Sequence, residues 1–324
     1  MPRGFFYCYD MDMASDYPYT KIHTWESYHP KRVSYILPTK NRADLLHSAL
    51  MQFRTFIEPQ DELIIVDGAS TDRTRDVVEK HKDIVNLFVS EPDKPGEASN
   101  KGLLMARGKY FKLLLDDEPV NPEAMKKAIQ VLDEHQEIEL LVCGGTVYTR
   151  DGKKSYIYVP PGANFGQHPD DVLRYWTGNG SGFVYRRSLF AKVGIFSPTL
   201  VNDYEFITRC LHQKIGVAFC RVNLYENRIT NDSVTIRRGA SALQEKMAIT
   251  KKYCSRTVYY LYRLEKNRLI RRFGLQKLMR PAYGFVESYR LSGIPGLVKH
   301  VRNAFKQRSN TGVPPGPIWD GGFS

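Results

Sequence analysis

Cysteine is scarce and unpatterned. The five thiols (Cys8, Cys143, Cys210, Cys220, Cys254) are odd in number and show no Cys-x-x-Cys spacing. This argues against a disulfide scaffold and fits reduced, buried thiols. Long apolar runs are missing too: none nears the roughly 18 residues that a membrane-spanning helix requires. The opening MPRGFFYCYDMDMASDY carries acids where a signal peptide needs an unbroken apolar stretch. The eight histidines lack zinc-ligand spacing, and no internal repeat is visible. These absences lead to the expectation of a cytoplasmic protein, soluble or peripherally bound to the inner face of a membrane.

What is present is ordinary in amount and unusual in distribution. Hydrophobic residues make up 42% and charged residues 25% of the 324 positions, enough for one large core with an appendage. The net charge is +12, and its excess is local: Lys251 to Arg308 holds 15 Lys/Arg against only Glu265 and Glu287. Aromatic and aliphatic residues (Tyr259, Tyr260, Leu261, Tyr262, Leu264, Leu269, Ile270, Phe273, Leu278) interleave with these charges. The mixture suits a helix lying on an anionic membrane surface. It suits equally a packed helical hairpin with a solvated basic face.

Hydrophobic patterning divides the chain. Residues 1–31 show no period and read as an extension. Val33–Leu37 reads as a buried strand stopped by Pro38. Asn41 is placed to cap a helix with an apolar stripe at Leu45, Leu46, Ala49, Leu50 and Phe53. Strand candidates follow at Leu63–Val66, Val85–Val89 and Tyr110–Leu115, with helices over Ser70–Lys80 and Glu97–Ala106, and Pro122 suits the first turn of another. Strands alternating with helices predict a parallel sheet covered on both faces, with ligands beyond the carboxyl ends of its strands. The polar stretches 38–42, 67–72 and 116–118 all fall at such ends and should converge. Beyond Ile138 the reading is longer strands (Leu140–Tyr148, Lys154–Val159), then a loop-rich stretch, then helices from about Ala240, then a Gly/Pro-rich tail over 309–324.

Leu113-Leu-Leu-Asp-Asp-Glu118 runs three apolar residues into three acids at the mouth of a strand. Crowded carboxylates repel one another, so they commonly serve Mg²⁺ or Mn²⁺ together with substrate phosphates. An acidic turn after a strand is also common without a ligand. Val66-Asp-Gly-Ala-Ser-Thr-Asp72 ends one strand and opens a helix, as a nucleoside-binding turn does, and it has neither Walker nor dinucleotide-loop spacing. Ser70 or Thr71 as a simple cap would explain part of it. Trp176 and the glycines at 178–182 suit an acceptor pocket or a domain seam.

In order, ILPTKNRADLL, IIVDGASTDRT, SEPDKPGEASNKGLLMARGKY and GSGFVYRRSLFAKVGIFSPTLVNDYEF resemble the inverting family-two glycosyltransferases, over about Val33 to Ser233. The resemblance implies a GT-A-like (Rossmann-like) α/β fold: a mostly parallel sheet flanked by helices, with a helical basic C-terminal extension. Residues 32–239 would form the transferase domain, with a nucleotide-binding half (32–136) and an acceptor half (137–239), followed by the basic region 240–308. It also implies a nucleotide-sugar donor (UDP- or dTDP-sugar), a glycan or lipid-linked acceptor and Mg²⁺ or Mn²⁺, in preference to a nucleic-acid partner. By the same resemblance, Pro38 and Thr39 lie against the base and Asp67 binds it. Asp93, Asn100 and Lys101 line the donor pocket, Asp116 approaches ribose or metal, Asp117 holds the metal against the diphosphate, and Asp203 is the general base.

The chain departs from the family pattern at three places. Gly68 stands where many members have an acid, Asn202 replaces the Glu before the base, and no histidine occurs between His212 and His300. Arg228, in the corresponding stretch, offers direct pairing with the diphosphate or a surface salt bridge. Three rival readings accompany this one. A nucleic-acid-binding role for the basic segment would show itself in a steep salt dependence of RNA binding. A sugar-phosphate nucleotidyltransferase would need a glycine-rich phosphate loop that Pro38-Thr-Lys-Asn-Arg42 does not supply, and an inactive nucleotide-sugar-binding module would bind donor without turning it over.

Overall fold

The computed structural model of the chain describes residues 31–93, 96–148, 154–157, 168–172, 180–228 and 239–267, with scattered positions between 272 and 298. Four strands, β1 (Lys31–Thr39), β2 (Glu62–Asp67), β3 (Leu87–Ser90) and β4 (Gly108–Leu113), pair in parallel in the order β3-β2-β1-β4. Helices α1 (Ala43–Phe53), α2 (Thr74–Lys80) and α3 (Glu97–Met105) make the crossovers, and α4 (Pro122–Glu134) follows β4. The sheet then turns mixed. β7 (Phe183–Arg186) lies antiparallel between β4 and β5 (Leu140–Tyr148), β6 (Lys154–Ile157) is antiparallel to β5, and β8 (Val217–Arg228) is parallel to it.

The alternation of side chains along the central strands builds two cores. Val33, Tyr35, Leu37, Leu63 and Ile65 face α1, α2 and α4. Ile36, Ile64 and Val66 face the opposite layer, made by α3, α5 (Arg187–Val193), α6 (Asn202–His212) and α7 (Gly239–Tyr253). Both faces are covered, which is why β2 is buried at every position. The last well-described helix is α8 (Arg256–Glu265), capped by the Ser255 hydroxyl on the Val258 amide.

Three local expectations are corrected. Pro38 does not stop β1, which runs on to Thr39. Ile36 and Leu114 bond on the β4 side, so Pro38, two residues on, turns its missing N–H towards that same side, past the end of β4. Asn41 does not cap α1. It sits at φ 51 and its Oδ1 accepts the Thr71 amide at 2.7 Å, while the Ala43 amide is taken by Asp72 from the neighbouring loop at 3.0 Å. The second helix starts at Thr74 rather than Ser70, because Ser70 serves the turn after β2. β7, α5, α6 and β8 occupy the region from 183 to 228, for which the sequence suggested no regular elements.

Candidate active site

The carboxyl ends of β1, β2, β3 and β4 lie side by side, and their loops are stitched together by side chains. Asp67, 2% exposed at the end of β2, accepts the Ser70 amide on both oxygens (3.2 and 3.0 Å), the Ser70 hydroxyl, and the Ser90 hydroxyl from the end of β3 at 2.6 Å. It thus holds the 67–72 turn in shape, and a base or ribose would add to this set. Ser70 in turn receives the Asn41 amide at 2.7 Å, tying the loop after β1 to the loop after β2.

Thr39, at the end of β1, donates its hydroxyl to Asp116 Oδ2 at 3.1 Å. Arg42, at the start of α1, bridges both acids: Nη1 to Asp116 Oδ1 and Nη2 to Asp117 Oδ2, each at 2.6 Å. The two acids differ in setting. The Asp116 side chain is 2% exposed and that of Asp117 is 45% exposed. Burial pushes the Asp116 carboxyl up to about 6 against the pull of Arg42. Among the described residues, no group of three or more His, Cys, Asp or Glu side chains is placed to hold a metal ion. The acid pair nevertheless suits a magnesium-like ion, whose sites often have one or two carboxylates and complete the shell with water and substrate phosphates. Asp117, with hard oxygens open to solvent, is the better placed of the two.

Asp93 is half-buried, its carboxyl raised by burial and opposed by Lys101 and Lys40. A Cβ on Gly68 would meet Asp93 Oδ1 at 2.7 Å, so the glycine at that position makes room for Asp93. Lys101 pairs with Glu91 at 2.7 Å and donates to the Pro92 carbonyl at 3.3 Å, holding the loop that carries Asp93. Asn100 faces elsewhere. Its amide donates to the Phe196 carbonyl and its Oδ1 accepts the Phe196 amide, both at 2.9 Å, which clamps α3 to the loop before α6. Pro38 lies in β1 one residue before Thr39.

Asp203 sits in the first turn of α6. Oδ1 accepts the Tyr204 amide at 2.7 Å and Oδ2 the Gly180 amide at 3.1 Å, from a single 3-10 turn at Gly180–Gly182. Burial raises its pKa, with these bonds and Lys246 opposing. Asn202 lies beside Gly96 (φ 86), with its Nδ2 3.6 Å from where a Cβ on Gly96 would stand. Arg228 ends β8 with its guanidinium over the Tyr148 ring, 4.9 Å from the centroid. Trp176 lies outside the described residues.

Ser90, Asn227 and Lys112 escaped the sequence reading, while Arg42, Asp72 and Glu118 fell within the polar stretches expected to converge but were given no individual role. Glu118 is buried and accepts from Asn227 and Ser181. Lys112, 1% exposed, donates to the carbonyls of Leu113 at 2.9 Å and Ser181 at 2.5 Å. A lone lysine inside the apolar run FKLLL was the signal available for it.

Residues 34–194 match the sequence model described as glycosyl transferase family 2. An uncharacterized glycosyltransferase of Rickettsia typhi is 24% identical over 223 residues, 67% of this chain and 70% of that protein. The poly(ribitol-phosphate) β-N-acetylglucosaminyltransferase TarS of Staphylococcus aureus is 34% identical over 119 residues, 34% of this chain but only 20% of TarS. A crystal structure of TarS with UDP-GlcNAc superposes with a TM-score of 0.54 at 19% identity, covering 83% of this chain and 79% of that one. The mannosyltransferase PcManGT of Pyrobaculum calidifontis, solved with GDP-Man and Mn²⁺, gives 0.54 at 17% identity, covering 88% and 77%. These structural likenesses bear on the fold.

Proposed function

Because the chain belongs to glycosyl transferase family 2, we propose that it moves a sugar from a UDP- or dTDP-sugar to a glycan or lipid-linked acceptor, with inversion at the anomeric carbon. The observation that carries this reading is the Asp116-Asp117 pair at the mouth of β4, bonded to Thr39 at the end of β1 and adjoining the turn held by Asp67. The base and ribose lie over the end of β1 at Pro38-Thr39 and over the 67–72 turn, with Asp93 on the loop beside them and Lys101 reaching that loop from α3. Asp117 would hold Mg²⁺ or Mn²⁺ from its exposed side, with Asp116 behind it. When bound, that ion offsets charge on the departing diphosphate. Asn100 supports the pocket from behind, through Phe196.

An acceptor hydroxyl is a weak nucleophile until a positioned carboxylate takes its proton, an effect worth roughly 10²–10⁴-fold. Asp203 has the attributes of that base: two backbone amides fix its carboxylate, and burial raises its proton affinity. One base on the acceptor side and one cation on the donor side allow a single in-line displacement. Arg228 is a further candidate for the diphosphate, provided it leaves Tyr148.

Basic and apolar side chains share the exposed face of α8. Arg256, Tyr260, Arg263 and Leu264 point outward while Val258 and Tyr262 pack inward. This supports docking on an anionic membrane surface, and no described helix is long and apolar enough to cross one. The tests are direct. A panel of nucleotide sugars screened for Mn²⁺-dependent hydrolysis should single out one donor, with Asp117→Ala inactive; no hydrolysis of any donor would support an inactive binding module. Sedimentation with phosphatidylglycerol vesicles should bring down the protein and lose it in a Tyr260→Glu/Leu264→Glu variant.

A further inference from the structure

We propose that Arg42 is the resident counter-cation of the Asp116-Asp117 pair, and that on metal loading it keeps Asp116 while its second nitrogen turns to the diphosphate of the donor. The diphosphate half rests on the nucleotide-sugar reading above. The metal half stands without it.

The geometry separates Arg42 from an ordinary structural partner of a buried acid. Such a partner would direct its whole fork at Asp116, which is the carboxylate that needs compensation. Arg42 instead splits the fork, one nitrogen to buried Asp116 and the other to half-exposed Asp117, both at 2.6 Å. Thr39 occupies the remaining Asp116 oxygen. A dication arriving from solvent therefore meets Asp117 and displaces one guanidinium nitrogen only. Arg42 is itself 39% exposed and springs from the residue before α1, where the backbone is not yet helical, so the freed arm stays at the mouth of the site. A guanidinium there presents paired N–H donors that match phosphate oxygens.

Charge counting then gives two effects of opposite sign. With Arg42 the acid pair carries a net charge of about −1, and without it about −2, so Arg42 weakens binding of the metal alone. Once the metal is in place, Arg42 adds a positive charge facing a diphosphate, so it strengthens binding of the nucleotide. A residue that merely holds the loop together cannot act in both directions.

The experiment uses the full chain and two probes. Mn²⁺ alone is titrated and its free ion read by electron paramagnetic resonance; UDP is then titrated by calorimetry into Mn²⁺-saturated protein. For Arg42→Gln, Mn²⁺ should bind roughly five- to twentyfold more tightly and UDP more weakly by a similar factor. Arg42→Lys, which keeps the charge and loses the fork, should hold Mn²⁺ close to wild type and recover part of the UDP affinity. Parallel loss of both affinities with a lowered melting temperature would reduce Arg42 to a structural role, and an unchanged Mn²⁺ affinity would overturn the counter-cation. Absence of UDP binding to the Mn²⁺-loaded wild type would sink the nucleotide-sugar reading and the diphosphate half with it, while the Mn²⁺ arm still decides the other half.

Discussion

The buried ammonium of Lys112 in β4 donates to the backbone carbonyl of Ser181, 69 residues further along, at 2.5 Å. Ser181 belongs to the same short turn whose Gly180 amide holds Asp203. Its hydroxyl also bonds Glu118, the third acid of the run that begins at Asp116. A single buried cation thus joins the strand that leads into Asp116 and Asp117 to the turn that orients the Asp203 carboxylate.

Replacing Lys112 should leave a signature in the pH dependence of stability. Burial lowers its folded pKa to about 8 from the ordinary 10.5. Between these values the unfolded chain holds the proton and the folded chain does not, so this site adds stability as pH rises across that window. The melting temperature of wild type relative to Lys112→Met should therefore climb from pH 8 towards pH 10, by an amount on the order of a few kcal/mol in free energy. A difference that stays flat across the range would mean the ammonium is not desolvated.

Asn100 tests where resemblance and geometry diverge. By motif it lines the donor pocket, yet both ends of its amide are engaged by Phe196. Asn100→Ala should cost about 1–3 kcal/mol in urea unfolding, the effect of removing two half-buried hydrogen bonds. UDP affinity should change by no more than about twofold if the Asn100 amide serves Phe196 alone. A tenfold loss of UDP affinity at unchanged stability would return Asn100 to the pocket.

The parts legible in the sequence were those governed by local periodicity and strand-end chemistry. The runs around Ile36, Ile64 and Tyr110 show their burial directly, and the turns after them carry the polar residues that meet at the sheet edge. Elements between residues 183 and 228 were opaque because their neighbours are distant, whereas the helices from about Ala240 were legible. β7 has four residues and inserts antiparallel between β4 and β5, an arrangement set by tertiary pairing and not by any repeat in FVYR. The roles of Arg42, inside the polar stretch 38–42, and of Lys112, inside FKLLL, were not legible for a related reason. A charge becomes informative only when its partners, 75 and 69 positions away, are known.

Acidification should release the metal. The Asp116 carboxyl is pushed up to about 6 by burial. In the absence of metal, the folded chain holds this proton more tightly than the unfolded one, so the stability it contributes fades as pH rises through that value. Metal binding runs the other way, because a cation and a proton compete for the acid pair. The increase in melting temperature caused by Mn²⁺ should be small at pH 5 and several-fold larger at pH 7. An Mn²⁺ shift independent of pH across this range would place the ion away from Asp116.

A side chain at Gly68 should displace Asp93 without upsetting the fold. A Cβ there would stand 2.7 Å from Asp93 Oδ1 and 3.1 Å from Lys40 Cδ, and both are flexible ends that can withdraw. Gly68→Ala should therefore fold with little loss of stability while displacing Asp93, and weaken UDP binding by roughly three- to tenfold if Asp93 lies in the donor pocket. In an Asp93→Ala background the same change should have no further effect on UDP. Additive losses in the double variant would show that the glycine acts through something other than Asp93.

Asp203 gives the sharpest separation between chemistry and binding. Its two oxygens accept two different amides, Tyr204 on one and Gly180 on the other. In Asp203→Asn, one of those N–H groups must face an NH₂ and lose its acceptor, so the variant gives up both the proton-accepting charge and part of the hold on the 180–182 turn. The acids that would bind metal lie on the β4 loop and keep their own partners, Thr39 and Arg42. Transfer from the donor identified by the nucleotide-sugar screen should fall roughly 10²–10⁴-fold, with UDP affinity in Mn²⁺ essentially unchanged. Turnover within tenfold of wild type would remove Asp203 as the base, because an amide oxygen is far too weak a base to take the proton of the acceptor hydroxyl.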